Sequence, residues 1–568
     1  MKGADFIVDV LIKQKVTDVF GIPGGVILDF LYAMNRRSPK IMTHLNFHEQ
    51  NSVSSALGFA KASNNLGVAY ATRGPGITNM VTGVADAYCD SIPILILTAH
   101  SATIPKKGMR VTYDQEIDVV KMFSGITKYA ERIDNIEDLR YKLEQACFEA
   151  MDGRKGPVLL DINSEVLSAK IDPDTLPSFE IQNDKEGLKD EAARAIIQSI
   201  SNSKRPVFLL GDGFRGTESI KQIKEIAEDN KIPILSSRFS QDLFQSSSAF
   251  FGYVATKGLR YSNFILSKSD LIIVIGNRMA FPIESNSWTK IVNDIPKIRI
   301  EIDPTELNRE FPNCICYVTD LVKLVYNLRK EKIAYNNDKH WIGVCNKIKY
   351  ELFEHDVAYP VTAILEVLKS IHSDNIIVSD VGNHEYWLCR ASAYIKCTNS
   401  TFYSKSFGAL GSSLARSIGA YYSTLKPVYC FIGDQGLQMS IQELQFIAVK
   451  QLPITIILLN NFSSGMIRSR EKVKYGQDFF PLHTTLDSGY SVPDFCAVTK
   501  SYGIKAFTFD QYNYEEANSL LLDNDSPKLI EIKIDPSIEL IASTKKGELL
   551  QNMAPTINES LYRMLEDL

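Results

Sequence analysis

No apolar run in the 568 residues approaches the roughly 20 needed to cross a bilayer. The opening segment, MKGADFIVDVLIKQKV, interrupts its apolar positions with Asp5, Asp9 and Lys13, so it reads as an amphipathic helix and not as the core of a secretory signal. Charge of one sign is lacking too. With 62 Lys and Arg against 67 Asp and Glu, a net charge of −5, and no dense basic block, there is no field to hold a nucleic acid. The nine cysteines are scattered, and the closest pair, Cys314 and Cys316, has no second pair at the spacing of a zinc site. They read as reduced thiols. These absences point to a soluble, cytoplasmic chain whose partners are small molecules.

What is present is length and pattern. The chain exceeds a typical domain several-fold, which implies more than one packed core, and 45% hydrophobic with 23% charged residues is an ordinary globular composition. Short apolar runs recur at 68–72, 93–99, 156–162, 206–211, 270–276, 297–303, 375–380, 428–434, 454–461 and 528–534. Each is apolar on both faces and most are separated by amphipathic helical stretches, the pattern of parallel strands covered by helices. Polar, aperiodic stretches at 168–187 and 329–340 read as linkers. The fold class is therefore α/β, with three doubly wound parallel-sheet domains at about 1–165, 188–330 and 355–535 and a tail at 536–568.

The segment GDQGLQMSIQELQFIAVKQLPITIILLNNFSSGM, 433–466, carries the chemistry. The strand VYCFI turns at Gly433, Asp434, Gln435 and Gly436 into a helix with apolar positions Ile441, Leu444, Ala448 and Leu452, and a second strand ends at Asn460 and Asn461. Adjacent parallel strands expose their carboxyl ends side by side, so Asp434 and Asn461 converge. Two hard oxygen ligands and the backbone carbonyl that follows, at Ser463, suit Mg²⁺, which borrows its other oxygens from phosphates and water. The amides at the helix start favour the anion.

In this order and spacing these residues resemble the thiamin-diphosphate-binding motif. With FGIPGG (20–25), HEQNSVSSALGFAKA (48–62), TRGPGITNMVTGVADAYCDSIPILILTA (72–99) and SDVGNHEYW (379–387), nearly the whole chain resembles the acetolactate synthase (acetohydroxyacid synthase) large-subunit-like branch of that superfamily. The resemblance implies a pyrimidine-binding, a central nucleotide-binding-like and a diphosphate-binding domain. It also implies active sites between subunits of a homodimer or tetramer.

Residue by residue, Glu49 matches the family's indispensable acid. A carboxyl group on the cofactor's pyrimidine N1′ favours the imino tautomer, whose N4′ removes the thiazolium C2 proton. Leu410 matches the apolar wedge that bends the cofactor, with Gly408 and Ala409 beside it against the pyrimidine. Gly382, Asn383 and His384 match the loop that touches the diphosphate. Pro75 and Asn79 match the turn lining the pyrimidine pocket, and Gly24 and Gly25 the turn facing the reacting carbon. Gln435, Gly436, Ser463, Gly465 and Met466 complete the cofactor-binding set, with Asp434, Asn461 and Ser463 as metal ligands.

Departures from the family pattern concern the acceptor and a flavin. Arg470 stands where relatives carry a Trp after GMV, Asp114 replaces a pocket Phe, and His100 stands where relatives often have Gln. Each is an opening for a more polar acceptor. Fragments at 211–213, 251–258, 276–278, 301–304 and 319–320 resemble the site of a non-redox FAD, yet the family's GARFDDR has become GNRMAFP, so a flavin-free central domain stays open. The activity implied by the resemblance is decarboxylation of a 2-oxo acid, pyruvate, and ligation of the two-carbon unit to a carbonyl acceptor. A keto-sugar acceptor, or simple decarboxylation, is the alternative.

Overall fold

The computed structural model describes residues 1–101, 114–181, 191–280, 294–331, 333, 340–476, 482–523, 525–539, 542–544 and 547–568. The opening residues form the amphipathic helix Gly3–Lys13, which buries Phe6, Ile7, Val10 and Leu11. Eighteen strands make three parallel six-stranded sheets. The first contains β1 (Asp18–Gly21), β2 (Met42–Leu45), β3 (Gly67–Tyr70), β4 (Ile94–His100), β5 (Tyr129–Ile133) and β6 (Pro157–Asn163) in the order β2-β1-β3-β4-β6-β5. The second contains β7 (Pro206–Leu210), β8 (Ile234–Ser236), β9 (Phe250–Tyr253), β10 (Leu271–Ile275), β11 (Lys297–Glu301) and β12 (Cys314–Val318), ordered β12-β11-β10-β7-β8-β9. The third contains β13 (Ile376–Ser379), β14 (Thr401–Tyr403), β15 (Val428–Gly433), β16 (Ile454–Asn460), β17 (Lys505–Phe509) and β18 (Lys528–Lys533), ordered β14-β13-β15-β16-β18-β17.

Every apolar run of the sequence is a strand here. The strands it does not announce are short, such as β1, β8 and β14, or lie at sheet edges. Edge strands β2, β5, β12 and β17 keep partly exposed residues, so they lack the two-sided apolar signature.

The chain clusters into two compact units. One comprises Met1–Asn183, Asp374–Glu385 and Thr401–Pro536, with the first and third sheets; the other comprises Asp184–Ser373, Tyr386–Ser400 and Ser537–Leu568, with the second sheet. The C-terminal stretch does not trail. Ser543–Thr544 pairs antiparallel with Met553–Ala554, the Thr544 amide donates to the Thr256 carbonyl, and Arg260 donates to the Met553 and Pro555 carbonyls.

Within the first unit one core runs through both sheets, joining Val53, Leu57 and Ile96 to Leu414, Ile418 and Ile432. Its closest approach is the crossing of the helix Glu49–Ser63 with the helix Ser413–Thr424. A Cβ at Gly58 would overlap the Arg416 carbonyl, and one at Gly419 the Ser55 carbonyl. Two glycines let the backbones touch where any side chain would separate them. Gly419→Ala should therefore cost about 1–3 kcal/mol of stability by overpacking, measured by denaturant unfolding. Gly125→Ala, whose Cβ would meet nothing within 4 Å, is the control and should leave the midpoint unchanged.

Candidate active site

Strands β13, β15 and β16 are neighbours, so the loops leaving their carboxyl ends lie side by side. Gly433 ends β15 and Asp434 opens the helix Asp434–Ser440. The helix thus starts at the Asp itself, and it breaks before a second helix, Glu443–Lys450, begins. Leu452 lies past that second helix, which closes at Gln451 in the left-handed region (φ 49°). The single helix expected through Leu452 is corrected accordingly.

Asp434 Oδ1 accepts the Gln435 amide at 2.8 Å, while Oδ2 is buried with no hydrogen bond within 3.5 Å, Tyr490 and the Phe462 and Ser463 amides standing nearby. Burial pushes this carboxyl up to about 6. Across the cleft Asn383, 6% exposed, has neither amide atom bonded, and His384 Nε2 is also unpartnered. Burial lowers His384 to about 4, so its ring is neutral at pH 7. Asn383 and Asn461 approach each other over Gly465, where a Cβ would lie 2.5 Å from Asn461 Nδ2 and 2.8 Å from Asn383 Nδ2.

The two asparagines ending β16 divide the work. Asn460 donates to Glu531 Oε1 at 2.7 Å and accepts the Phe462 amide at 3.1 Å, holding Phe462 in the left-handed region (φ 51°). That turn leaves Asn461 at the cleft. Ser463 spends its hydroxyl on the Thr484 carbonyl at 2.7 Å. Gln435 is exposed and accepts the Ser464 hydroxyl at 3.4 Å, and Met466 is half-buried.

Gly408 (φ 72°) and Gly411 (φ 80°) need glycine, and between them lie buried Ala409 and half-buried Leu410. The amides of Gly411 and Ser412 donate to Asp380, a fully buried carboxylate that burial raises to about 6 against the pull of those amides. A Cβ at Gly436 would overlap the same carboxylate. Asp380 thus holds the end of the Leu410 loop and packs directly against the GDQG turn at Gly436.

A second cluster sits on the first sheet. Glu49 opens its helix behind the N-cap His48, and its Oε2 accepts Asn79 Nδ2 at 2.9 Å. Pro75 starts the short helix Pro75–Thr78 that Asn79 caps, and a Cβ on Gly76 would stand 3.4 Å from Glu49 Oε1. Gly24 packs so tightly on Thr72 that a Cβ would overlap it, whereas Gly25 faces open space. The approach to Glu49 is braced by Glu443, which accepts Phe47 N, Asn46 Nδ2 and Asn51 Nδ2, each at 2.9 Å, while burial raises its carboxyl above the usual range. Sequence reasoning missed Asp380 and Glu443, although both lie within or beside the quoted motifs. Their signal was a carboxylate where an apolar helix face or strand end should be buried.

Among the departures, Asp114 and Arg470 are exposed, Arg470 on the helix Gly465–Tyr475. His100 is not offered to a pocket. It is 3% exposed, with Nδ1 at 3.0 Å from Asp161 and Nε2 at 3.0 Å from Asp134. Both ring nitrogens are engaged by carboxylates, so no acceptor can be read by this residue. The expectation of a polar group there is corrected.

Three family models match along the chain: the N-terminal TPP binding domain of thiamine pyrophosphate enzymes over residues 1–122, the central domain over 193–328, and the C-terminal TPP binding domain over 380–532. The acetolactate synthase large subunit of Lactococcus lactis subsp. lactis is 30% identical over 561 residues, covering 96% of this chain and 94% of that one. The probable acetolactate synthase large subunit of Methanocaldococcus jannaschii is 31% identical over 583 residues, 98% and 96% of the two chains. The chain belongs to the acetolactate synthase large-subunit family of thiamine pyrophosphate enzymes. A third member, the isozyme 2 large subunit of Escherichia coli, is 27% identical over 540 residues, covering 94% of this chain and 96% of that one.

In this thiamine pyrophosphate enzyme the glycine under the two asparagines is a direct test of the cleft. Gly465→Ala would push Asn461 and Asn383 apart, and where these side chains hold the cofactor the cost of about 1–3 kcal/mol falls on its binding. Titration calorimetry should find thiamin diphosphate bound roughly ten-fold or more weakly, with the thermal midpoint nearly unchanged.

Proposed function

We propose that this chain decarboxylates a 2-oxo acid, pyruvate, and joins the two-carbon unit to a carbonyl acceptor. The observation that carries this reading is the set of buried polar atoms with no protein partner at the carboxyl edge of the third sheet: Asp434 Oδ2, Asn383 Oδ1 and Nδ2, and His384 Nε2. Such atoms are costly to bury unless a ligand completes them. Their chemistry fits a metal diphosphate: an anionic oxygen for Mg²⁺ and an amide N–H for phosphate oxygens. Asp434, Asn461 and the Ser463 carbonyl are assigned to the metal, and Gly382, Asn383, His384, Gly433, Gln435, Gly436, Gly465 and Met466 to the diphosphate.

Thiamin diphosphate supplies, when bound, the thiazolium carbon that takes up the donor's acyl carbon as carbon dioxide leaves. The chain's own residues do the rest. Glu49 holds a proton opposite the pyrimidine, Asn79 fixes the Glu49 rotamer, and Pro75 shapes the turn beside it. Gly408, Ala409 and Leu410 would pack against the cofactor, while Gly24 and Gly25 would leave room for substrate. The assigned domains are 1–165 for the pyrimidine, 188–330 as the central domain and 355–535 for the diphosphate.

Glu49 contacts Asn79 and the Gly76 turn, and the site it belongs to is proposed to be completed by a second copy of the chain. Exposed Leu28, Phe47, Phe407, Met439 and Ile467, each beside a candidate site segment, offer that copy an apolar surface. A homodimer or a tetramer of such dimers, working in the cytoplasm, is the assembly proposed. No described helix is long and apolar enough to cross a membrane. No step is assigned to FAD: Gly211 and Gly213 close onto the backbone of Gly276 instead of onto open space.

The test is product identification by NMR after incubation with thiamin diphosphate, Mg²⁺ and pyruvate. Acetolactate is expected from the wild type, and Glu49→Gln should turn over at least about a hundred-fold more slowly, since an amide cannot supply the carboxyl proton. Acetaldehyde alone would make the chain a simple decarboxylase. Exposed Arg470 favours a second reading, a polar acceptor such as a keto-sugar. Arg470→Trp should then shift competition between keto-sugars and 2-oxobutyrate roughly ten- to hundred-fold against the sugars, and equal acceptor ratios would remove that reading.

A further inference from the structure

Outside the residues assigned above, the helix Val81–Asp90 places two carboxylates one turn apart on a buried face, Asp86 (fully buried) and Asp90 (9% exposed). Asp90 accepts two successive backbone amides of one loop, Lys405 N on Oδ2 at 2.7 Å and Ser406 N on Oδ1 at 2.8 Å. Asp86 Oδ1 accepts the Ser404 hydroxyl at 2.9 Å, and that hydroxyl in turn accepts the Ala409 amide at 2.7 Å. The other Asp86 oxygen pairs with Arg416, which also donates to the Tyr403 carbonyl.

These bonds have a geometric consequence. The loop is pinned at its start by Asp86 and Asp90 and at its end by Asp380 through Gly411 and Ser412. Only Phe407 to Leu410 lie between the anchors, and Phe407 is 45% exposed while Leu410 is half-buried. So short a span has little freedom of its own, and the position of Leu410 is set by where the three carboxylates hold the ends. Bonds from backbone amides to a charged acceptor are the stiffest clamp available here.

We propose that Asp86 and Asp90, on the first-sheet helix, and Ser404 are positioning residues for the carboligation reaction, holding the Gly408–Leu410 segment where it would meet the cofactor. The inference rests on the assignment of that segment to thiamin diphosphate. It predicts a particular division of effects. The diphosphate is anchored elsewhere, by Asp434, Asn383 and Asn461, so loosening the loop should spare binding and damage activation of the thiazolium C2–H bond.

The experiment uses the full chain loaded with thiamin diphosphate and Mg²⁺ and follows exchange of the C2 proton for deuterium by NMR, alongside cofactor affinity by calorimetry. In Asp90→Asn one backbone amide is left facing an NH₂ group, and in Ser404→Ala the relay from Asp86 to the Ala409 amide is cut. Both should slow exchange about ten- to hundred-fold while the cofactor Kd moves less than about three-fold, and Ser404→Thr, which keeps the hydroxyl, should restore most of the rate. Ser404→Ala is the gentler change and carries the test should Asp90→Asn fold poorly. Wild-type exchange in Ser404→Ala, with slow exchange in Glu49→Gln, would overturn the positioning role and leave the thiamin site standing. Wild-type exchange in Glu49→Gln as well would overturn both.

Discussion

A buried polar atom that no protein group satisfies costs about 1–3 kcal/mol, more when it is charged, and the carboxyl edge of the third sheet collects several of them within a few residues. Asp434 Oδ2, both amide atoms of Asn383 and Nε2 of His384 are all enclosed and unbonded. The parallel order β13-β15-β16 forces this convergence, because each strand must end on the same side. Everything else in the unit follows from keeping these groups dry and aimed while they wait for a partner. Gly433, Gly436 and Gly465 remove the side chains that would fill the cleft or push its walls, and the strained Phe462 turn faces Asn461 into it.

Buried carboxylates brace the site at a distance from its chemistry. Asp380 holds the end of the Leu410 loop while packing against Gly436, Glu531 fixes Asn460, and Glu443 gathers Asn46, Phe47 and Asn51 around the start of the Glu49 helix. Each accepts N–H donors from loops that would otherwise be free to sag. Carboxylates serve this purpose better than neutral acceptors, because two oxygens take several donors and the bonds are charge-assisted. Burial raises Asp380, Asp86 and Asp434 alike to about 6, so ionising them in place has a desolvation cost that their N–H donors and Arg416 only partly offset.

The motif strands were legible because a strand buried on both faces cannot hide its composition: VYCFIG and ITIILLN declare β15 and β16, and the Asp and Asn at their ends follow from strand geometry. Edge strands such as Tyr129–Ile133, which carries Glu131 and Arg132 and is mostly half-buried, were not legible. Neither were the bracing acids, since Glu443 and Asp86 sit in helices where a carboxylate normally means a solvated face, and only tertiary packing shows what they hold. His100 marks the opposite failure. A titratable side chain ending a strand near the motif invited a functional role, but Asp161 comes from β6 and Asp134 from the residue just past β5, and the sequence does not reveal how these strands pair. Arg470 fared differently, since helix Gly465–Tyr475 leaves it exposed as a cation on the element that begins under the two asparagines.

The central claim is that the unsatisfied groups at this edge exist for a metal-bound diphosphate, and the most direct measurement is calorimetric titration of thiamin diphosphate into the protein with Mg²⁺ and again with a chelator. The account predicts saturable one-site binding with the metal and an affinity lower by about ten- to hundred-fold or more without it, since Asp434 and the diphosphate would then face each other uncompensated. Equal affinity under both conditions would contradict the account.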